Sequence, residues 1–455
     1  MTPAPLGWLG IVQLGLVQTA LGSIVVLTTS TLNRVMVVEL QLAAMLPGIL
    51  VALHYAVQIS RPRWGYGSDM GGRRTPWIVG GMAVLSVGGL LAAFATVLMS
   101  SSLAAGIVLA IIGFFMIGVG VGAAGTSLLV LLAKRVAPER RAAAATIVWI
   151  MMLLGFIVTA GVGGYFLDPF SYERLLAVAG AVSAIAMVVT LIAVRGIERV
   201  GASVTPEPHM PANAAKPPFR EALAQIWAEP EARNFTIFVF VSMLAYSAQD
   251  LILEPFAGII FGYTPGESTM LSSVQHGGVL AGMVLIGFMA TFVGGRIFGS
   301  LRGWMIIGCV LSGLALLALA FGGHAAPNWP LRTSVFFLGF ANGAFAVAAI
   351  GSMMALASKG REKREGVRMG LWGAAQAIAF GLGGFLGAAS VDLMRYLTGD
   401  PLTAYSTVFA CEAVLFLAAA LIASRIGQAR KESRLASAPR MTAIGENLMP
   451  ARAGE

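Results

Sequence analysis

Apolar residues fall in twelve long runs, with charged residues, Pro and Gly gathered in the short stretches between them. The runs cover 9–32, 42–60, 77–99, 103–133, 142–167 and 174–194. After a long polar interval come 235–261, 269–293, 304–321, 333–357, 367–391 and 403–423. A helix needs about 20 residues to cross the hydrocarbon core of a bilayer, and the runs match that length. In lipid every backbone N–H and C=O must be bonded within the chain, which leaves helices or closed barrels, and these runs are too long for barrel strands. The pattern predicts an all-α integral membrane protein with twelve transmembrane helices in two sets of six.

The intervals divide the chain. We read 1–200 as a six-helix half and 201–232 as a cytoplasmic linker with an amphipathic helix. A second six-helix half covers 233–426, and a polar, disordered tail covers 427–455. In the linker, Phe219, Leu223, Ile226 and Trp227 share one helical face. This fits a helix lying on the membrane surface, or equally a short helix capping the bundle.

Composition supports this class. The 455 residues are 57% hydrophobic and 11% charged, with a mean hydropathy of +0.83, more apolar surface than a water-soluble exterior accommodates. The net charge of +9 does not point to nucleic acid, because the charges occupy short loops between apolar runs. All of the 30 basic residues except Arg34, Arg174, Arg332 and Arg395 fall on one side of the twelve-span topology. By the positive-inside rule that side, with both termini, is cytoplasmic. Residues 1–10 contain no Lys or Arg, so the first run reads as a retained helix and not a signal peptide. Cys309 and Cys411 lie in separate runs without metal-ligand spacing.

Between the second and third runs the chain reads Gly65-Tyr-Gly-Ser-Asp69-Met-Gly-Gly72-Arg73-Arg74. This resembles the G-x-x-x-D-x-x-G-R-[RK] signature of the major facilitator superfamily. The glycines permit a tight turn, Asp69 can cap a helix N-terminus, and the arginines can meet acids or lipid phosphates. The resemblance implies a gating loop that joins the two halves in one state and releases them in another. The corresponding stretch of the second half, 294–302, has no Asp. Glycines at helix-packing spacing, among them Gly118, Gly122, Gly278, Gly282, Gly339 and Gly343, fit close helix approach in lipid.

A narrower resemblance spreads over most of the chain. Thr31-Leu-Asn-Arg-Val-Met-Val-Val-Glu-Leu40 is similar to the PucC/LhaA proteins, the bacteriochlorophyll delivery family of phototrophic bacteria. So are the stretch 235–246, Gln249-Asp-Leu-Ile-Leu-Glu-Pro255, Gly339-Phe-Ala-Asn-Gly343 and Met369-Gly-Leu-Trp-Gly-Ala-Ala-Gln376. The resemblance implies an assembly factor for light-harvesting complexes in the intracytoplasmic photosynthetic membrane. Its expected partners are antenna polypeptides, pigment-synthesis enzymes and membrane lipids, with bacteriochlorophyll a bound or carried.

Ionisable groups within spans are costly and mark sites. Arg34 and Glu39 lie at the end of the first run, and Asp250 and Glu254 share a face of the seventh. We expect Arg34 to pair with Asp250 or Glu254 across the halves, as a gate or as a static ion pair; proton coupling by the carboxylates is the third reading. His54 and His276 lie in pseudo-equivalent runs, each a candidate ligand for the Mg of a bacteriochlorophyll or a hydrogen-bonded bundle residue. No nucleotide loop, metal cluster or nucleophile–base pair is apparent, so a non-enzymatic role is expected. The rival reading is a proton-coupled secondary transporter of a small apolar or amphipathic solute. Mid-span polar residues such as Gln13, Gln18 and Asn342 are few for a carrier of sugars or organic anions.

Overall fold

The computed structural model describes residues 6–60, 73–198, 227–289, 292, 300–357 and 365–426. The first half comprises α1 (Trp8–Glu39), α2 (Met45–Val57), α3 (Thr75–Met99), α4 (Leu103–Arg135), α5 (Arg141–Leu167) and α6 (Tyr172–Ala193). The second comprises α7 (Pro230–Phe261), α8 (Pro265–Phe288), α9 (Leu301–Gly322), α10 (Leu331–Ala357), α11 (Glu365–Thr398) and α12 (Pro401–Arg425). Eleven of these are long and apolar enough to span a bilayer. The shorter α2, extended by a 3-10 turn over Gln58–Ser60, fills the remaining place. Residues 201–226 of the expected linker, with Phe219, Leu223 and Ile226 of its amphipathic helix, and the tail lie outside the described residues; Trp227 is exposed just before α7.

Helix ends obey local chemistry. At α8, Thr264 Oγ1 accepts from the Glu267 amide at 3.1 Å while the Glu267 carboxylate accepts from the Thr264 amide at 3.0 Å, with Pro265 in the first turn. This reciprocal cap satisfies donors that the helix itself leaves free. Gly262, at φ 70°, ends α7 in the left-handed region that a side chain disfavours.

One expectation needs correction. The first apolar run ends at 32, yet α1 continues unbroken to Glu39 through two π-helical segments, Leu27–Thr31 and Val35–Glu39. Asn33 and Arg34 look like a polar helix end in sequence. In the structure they are buried against the second half, so the helix carries them inward. Likewise α11 runs past 391 to Thr398 and contains Asp392 and Arg395.

Within the first half, α3 packs on α4 and α6, α1 on α5 and α6, and α2 on α4. The second half repeats the arrangement with each number raised by six: α9 on α10 and α12, α7 on α11 and α12, and α8 on α10. Each half has its own large apolar core. The halves meet along two extensive seams, α2 with α11 and α5 with α8, which the same pseudo-twofold exchanges.

Small residues bring the backbones together where lipid offers no hydrophobic drive. On α8, a Cβ at Gly278 or Gly282 would stand 2.2 Å from a carbonyl oxygen of α10. On α10, one at Gly339 or Gly343 would stand 2.0 or 2.1 Å from a carbonyl of α8. The expected packing role of these four glycines is therefore met.

At the start of α3 the Arg74 and Thr75 amides and the Thr75 hydroxyl all donate to the Glu198 carboxylate, at 2.8–2.9 Å. Burial pushes this carboxyl up. The bonds from Thr75 and Arg74 and the Arg74 charge outweigh burial, and the net result lies below the ordinary value. A depressed folded-state pKa contributes stability that is present above the unfolded value near 4.5 and is lost as pH falls through the folded value. Glu198→Gln is expected to cost about 1 kcal/mol at pH 7, the usual worth of a helix cap. Thermal-shift curves of the two proteins should converge below that window.

Candidate functional site

The end of α1 supplies a row of buried polar side chains to the second half. Ser30 donates to Glu254, and its oxygen is 3.2 Å from Ser272 Oγ. Thr31 and Thr269 hydroxyls are 3.1 Å apart, and Asn33 donates to the Leu251 carbonyl at 2.6 Å. A π turn inserts an extra residue and so rotates the helix beyond it; two of them flank this row.

Arg34 is buried and ion-pairs with Glu39 on its own helix. Its second nitrogen donates to the Tyr263 carbonyl across the halves at 2.7 Å. The expected ion pair from Arg34 to Asp250 or Glu254 is not formed among the described residues. The Tyr263 carbonyl holds the guanidinium instead, and Gly258 of α7 lies against it with no side chain in the way. Asp250 accepts from Gln275 of α8 at 2.9 Å. Glu254 accepts from Ser30, so it is this carboxylate that crosses the seam, through a hydroxyl and not through an arginine.

Two further carboxylates pin the seams, at the face opposite the start of α1 and the end of α12. Asp168, just after α5, accepts from Thr264 Oγ1 at 2.7 Å and from the Gly266 amide at 3.3 Å, at the start of α8. Asp392 of α11 accepts from the Ala44 amide at 3.0 Å and the Met45 amide at 2.7 Å, at the start of α2. Each acid thus caps a helix belonging to the other half, where free amides and the helix dipole favour negative charge. The pseudo-twofold exchanges the two contacts. Arg174 donates to the Asp168 carbonyl at 2.6 Å, and a shallow groove of about 360 Å³ lies beside it, lined also by Tyr165, Phe166 and Met270. Neither acid stands out in the sequence. Asp168 resembles an ordinary loop residue before Pro169, and Asp392 falls one residue beyond the end of an apolar run.

The two histidines lie beside the seams, about 15 Å along their helices from these caps at 1.5 Å per residue. His276 Nδ1 is 2.8 Å from the Ser272 carbonyl. A carbonyl only accepts, so Nδ1 carries the proton and Nε2 is the ring acceptor. The ring meets Phe156 of α5 edge-on at 4.9 Å. His54 differs: its Nε2 is engaged by the Gln58 side-chain amide at 2.9 Å. Its neighbour Tyr55 contacts Phe380 of α11 at 5.5 Å.

Of the expected gating loop, Gly65, Asp69 and Gly72 lie outside the described residues. Arg73 is exposed and Arg74 is buried at the start of α3, its amide on Glu198. No group of three or more His, Cys, Asp or Glu suited to a metal ion occurs among the described residues.

The fold is similar to that of a peptide transporter POT (TM-score 0.69, 16% identity, covering 95% of this chain and 97% of that one). It is similar also to nucleoside transporter NupG (TM-score 0.66, 16% identity, 92% and 99% covered). At that identity the likeness establishes the major facilitator fold alone. In sequence, the chain is 53% identical to the "Bacteriochlorophyll synthase 44.5 kDa chain" of Rhodobacter capsulatus over 94% of this chain and 98% of that protein. It is 29% identical to "Protein PucC" of Cereibacter sphaeroides, over 93% and 94%. The family model described as "PUCC protein" matches residues 31–431, a span that begins at the polar row of α1 and takes in both seams. A multi-pass membrane chain with the major facilitator fold and that match belongs to the PUCC protein family.

Proposed function

We propose that this protein is a non-enzymatic assembly factor for light-harvesting complexes that handles bacteriochlorophyll for antenna polypeptides. The family match over residues 31–431 carries the reading. A relative named for bacteriochlorophyll synthase at 53% identity supports the pigment association. The charge asymmetry of the loops supports cytoplasmic termini in a photosynthetic inner membrane.

Of the two histidines, His276 suits a pigment. Its Nδ1–H is tied to a backbone carbonyl, which fixes the tautomer and leaves the lone pair on Nε2, the arrangement metal-ligating histidines use. His54 does not fit, since Gln58 engages the corresponding nitrogen. When bound, bacteriochlorophyll would supply a Mg ion able to take a nitrogen ligand from the protein. The protein's part is to present one imidazole, an aromatic edge from Phe156 and the soft apolar lining of the α5–α8 seam.

The test is purification from a phototrophic host in mild detergent, reading near-infrared absorbance and co-purifying polypeptides. Wild type is expected to retain pigment and antenna subunits, and His276→Leu to lose most of the pigment while remaining folded. Absence of both pigment and antenna polypeptides from the wild type would overturn the reading.

A further inference from the structure

The interior of the second half holds two polar side chains without partners, away from the two seams. Glu412 sits near the middle of α12, 2% exposed, and neither carboxyl oxygen has a hydrogen-bond partner. Gln249 of α7 is 0% exposed, and neither its amide nitrogen nor its amide oxygen is bonded. Native interiors leave few such groups unpaired.

Ring contacts fix how the two helices face each other. Phe256 of α7 meets Tyr405 of α12 at 5.6 Å and Phe409 at 5.0 Å. Seven residues make nearly two full turns of helix, so Gln249 lies on the Phe256 face of α7 and Glu412 on the Tyr405 face of α12. The helices are antiparallel. One step of seven along each therefore brings Gln249 and Glu412 to the same level of the same interface. Asp250, one residue on, is turned away to Gln275 of α8.

We propose that Glu412 and Gln249 form a proton-binding site, in which Glu412 is held as the neutral acid. Chemical complementarity decides this. A carboxylic acid donates its O–H to the amide oxygen and accepts the amide N–H on its carbonyl, satisfying both groups. A carboxylate could accept the N–H but would leave the Gln249 oxygen without a donor. Charge balance agrees. An unpaired carboxylate at mid-membrane depth is costly, and Arg34 is matched to Glu39.

Few other groups face the site. From α7 the titratable neighbours are Asp250, next to Gln249 in the chain, with Tyr246 and Glu254 a turn away to either side. From α9 there are Cys309 and, at its N-terminal end, Arg302, which donates to the Ser424 carbonyl about three turns of α12 away from Glu412. Between Arg332 and Ala357 α10 offers none, and α11 offers Asp392 and Arg395 near Tyr405. None of them is a cation at the level of Glu412. Loss of the proton would leave a carboxylate without a counter-charge between α7 and α12, so the packing of this half depends on the proton being held.

Infrared spectroscopy of the full chain in lipid nanodiscs at neutral pH tests this directly. The wild type is expected to show an un-ionised carboxylic acid carbonyl band, sensitive to H/D exchange, that disappears in Glu412→Gln and persists in Asp250→Asn. In Gln249→Leu the same band should persist at higher frequency, its hydrogen bond gone. If Glu412→Gln folds and its acid carbonyl region matches that of the wild type, the proposal is overturned. If that variant does not fold, Glu254→Gln protein made with carboxyl-13C glutamate decides. A protonated band that shifts with the label supports the site, and none shifting overturns it.

Discussion

Gly339→Leu is expected to yield no folded protein. A Cβ at Gly339 would stand 2.0 Å from the Gln275 carbonyl oxygen and 3.2 Å from the Val279 amide, so the obstacle is backbone, which cannot turn aside. Overpacking typically costs about 1–3 kcal/mol and occasionally more, and with backbone as the obstacle the upper end applies, a large part of the roughly 5–15 kcal/mol that typically separates folded from unfolded chains. The α8–α10 contact is moreover a main joint of the second half. Gly277→Ala provides the contrast. Nothing lies within 4 Å of a Cβ there, and alanine favours helix by up to about 1 kcal/mol over glycine. Size-exclusion profiles in detergent should show aggregate or no yield for the first variant and a normal monodisperse peak for the second.

Glu39→Gln should be the next most damaging single change. It leaves Arg34, 2% exposed, without its counter-charge, and removing one member of a buried ion pair costs about 3 kcal/mol or more. Arg34→Gln should cost less, because the Glu39 side chain it leaves behind is 32% exposed and can reach water. The double substitution is then expected to be less damaging than the sum of the singles, with a coupling on the order of 1–2 kcal/mol. Denaturation in mixed micelles measures all three. Equal losses from both singles with no coupling would show that the pair contributes nothing beyond its packing.

Particular residues show how far the sequence could be read. The number and order of the runs, the alternation of loop charge and the glycines of α8 and α10 were legible, because lipid requires long apolar helices and close packing requires absent side chains; the ends of α1 and α11 were not. Arg34, Glu39, Asp250 and Glu254 stood out in the sequence as ionisable groups in or beside spans, which seldom carry them without cause. Their partners did not. Arg34 finds Glu39 and a carbonyl, and Glu254 finds Ser30, because two π turns rotate the end of α1 by amounts that residue spacing does not encode. Asp168 and Asp392 were hidden for a different reason. Each caps a helix more than 90 residues away in sequence, and a carboxylate beside a loop looks the same whether it meets water or a helix end.

The sequence by itself determined a twelve-helix membrane chain in two halves, and through its motifs the family to which it belongs. Those properties depend on local length, hydropathy and residue identity. Only the tertiary structure decided which acids join the halves, which histidine keeps its Nε2 lone pair clear of a neighbouring amide, and that Glu412 and Gln249 are buried without hydrogen-bond partners. Each of these depends on helix rotation and register across an interface, and the rigid packing of neighbouring helices sets both.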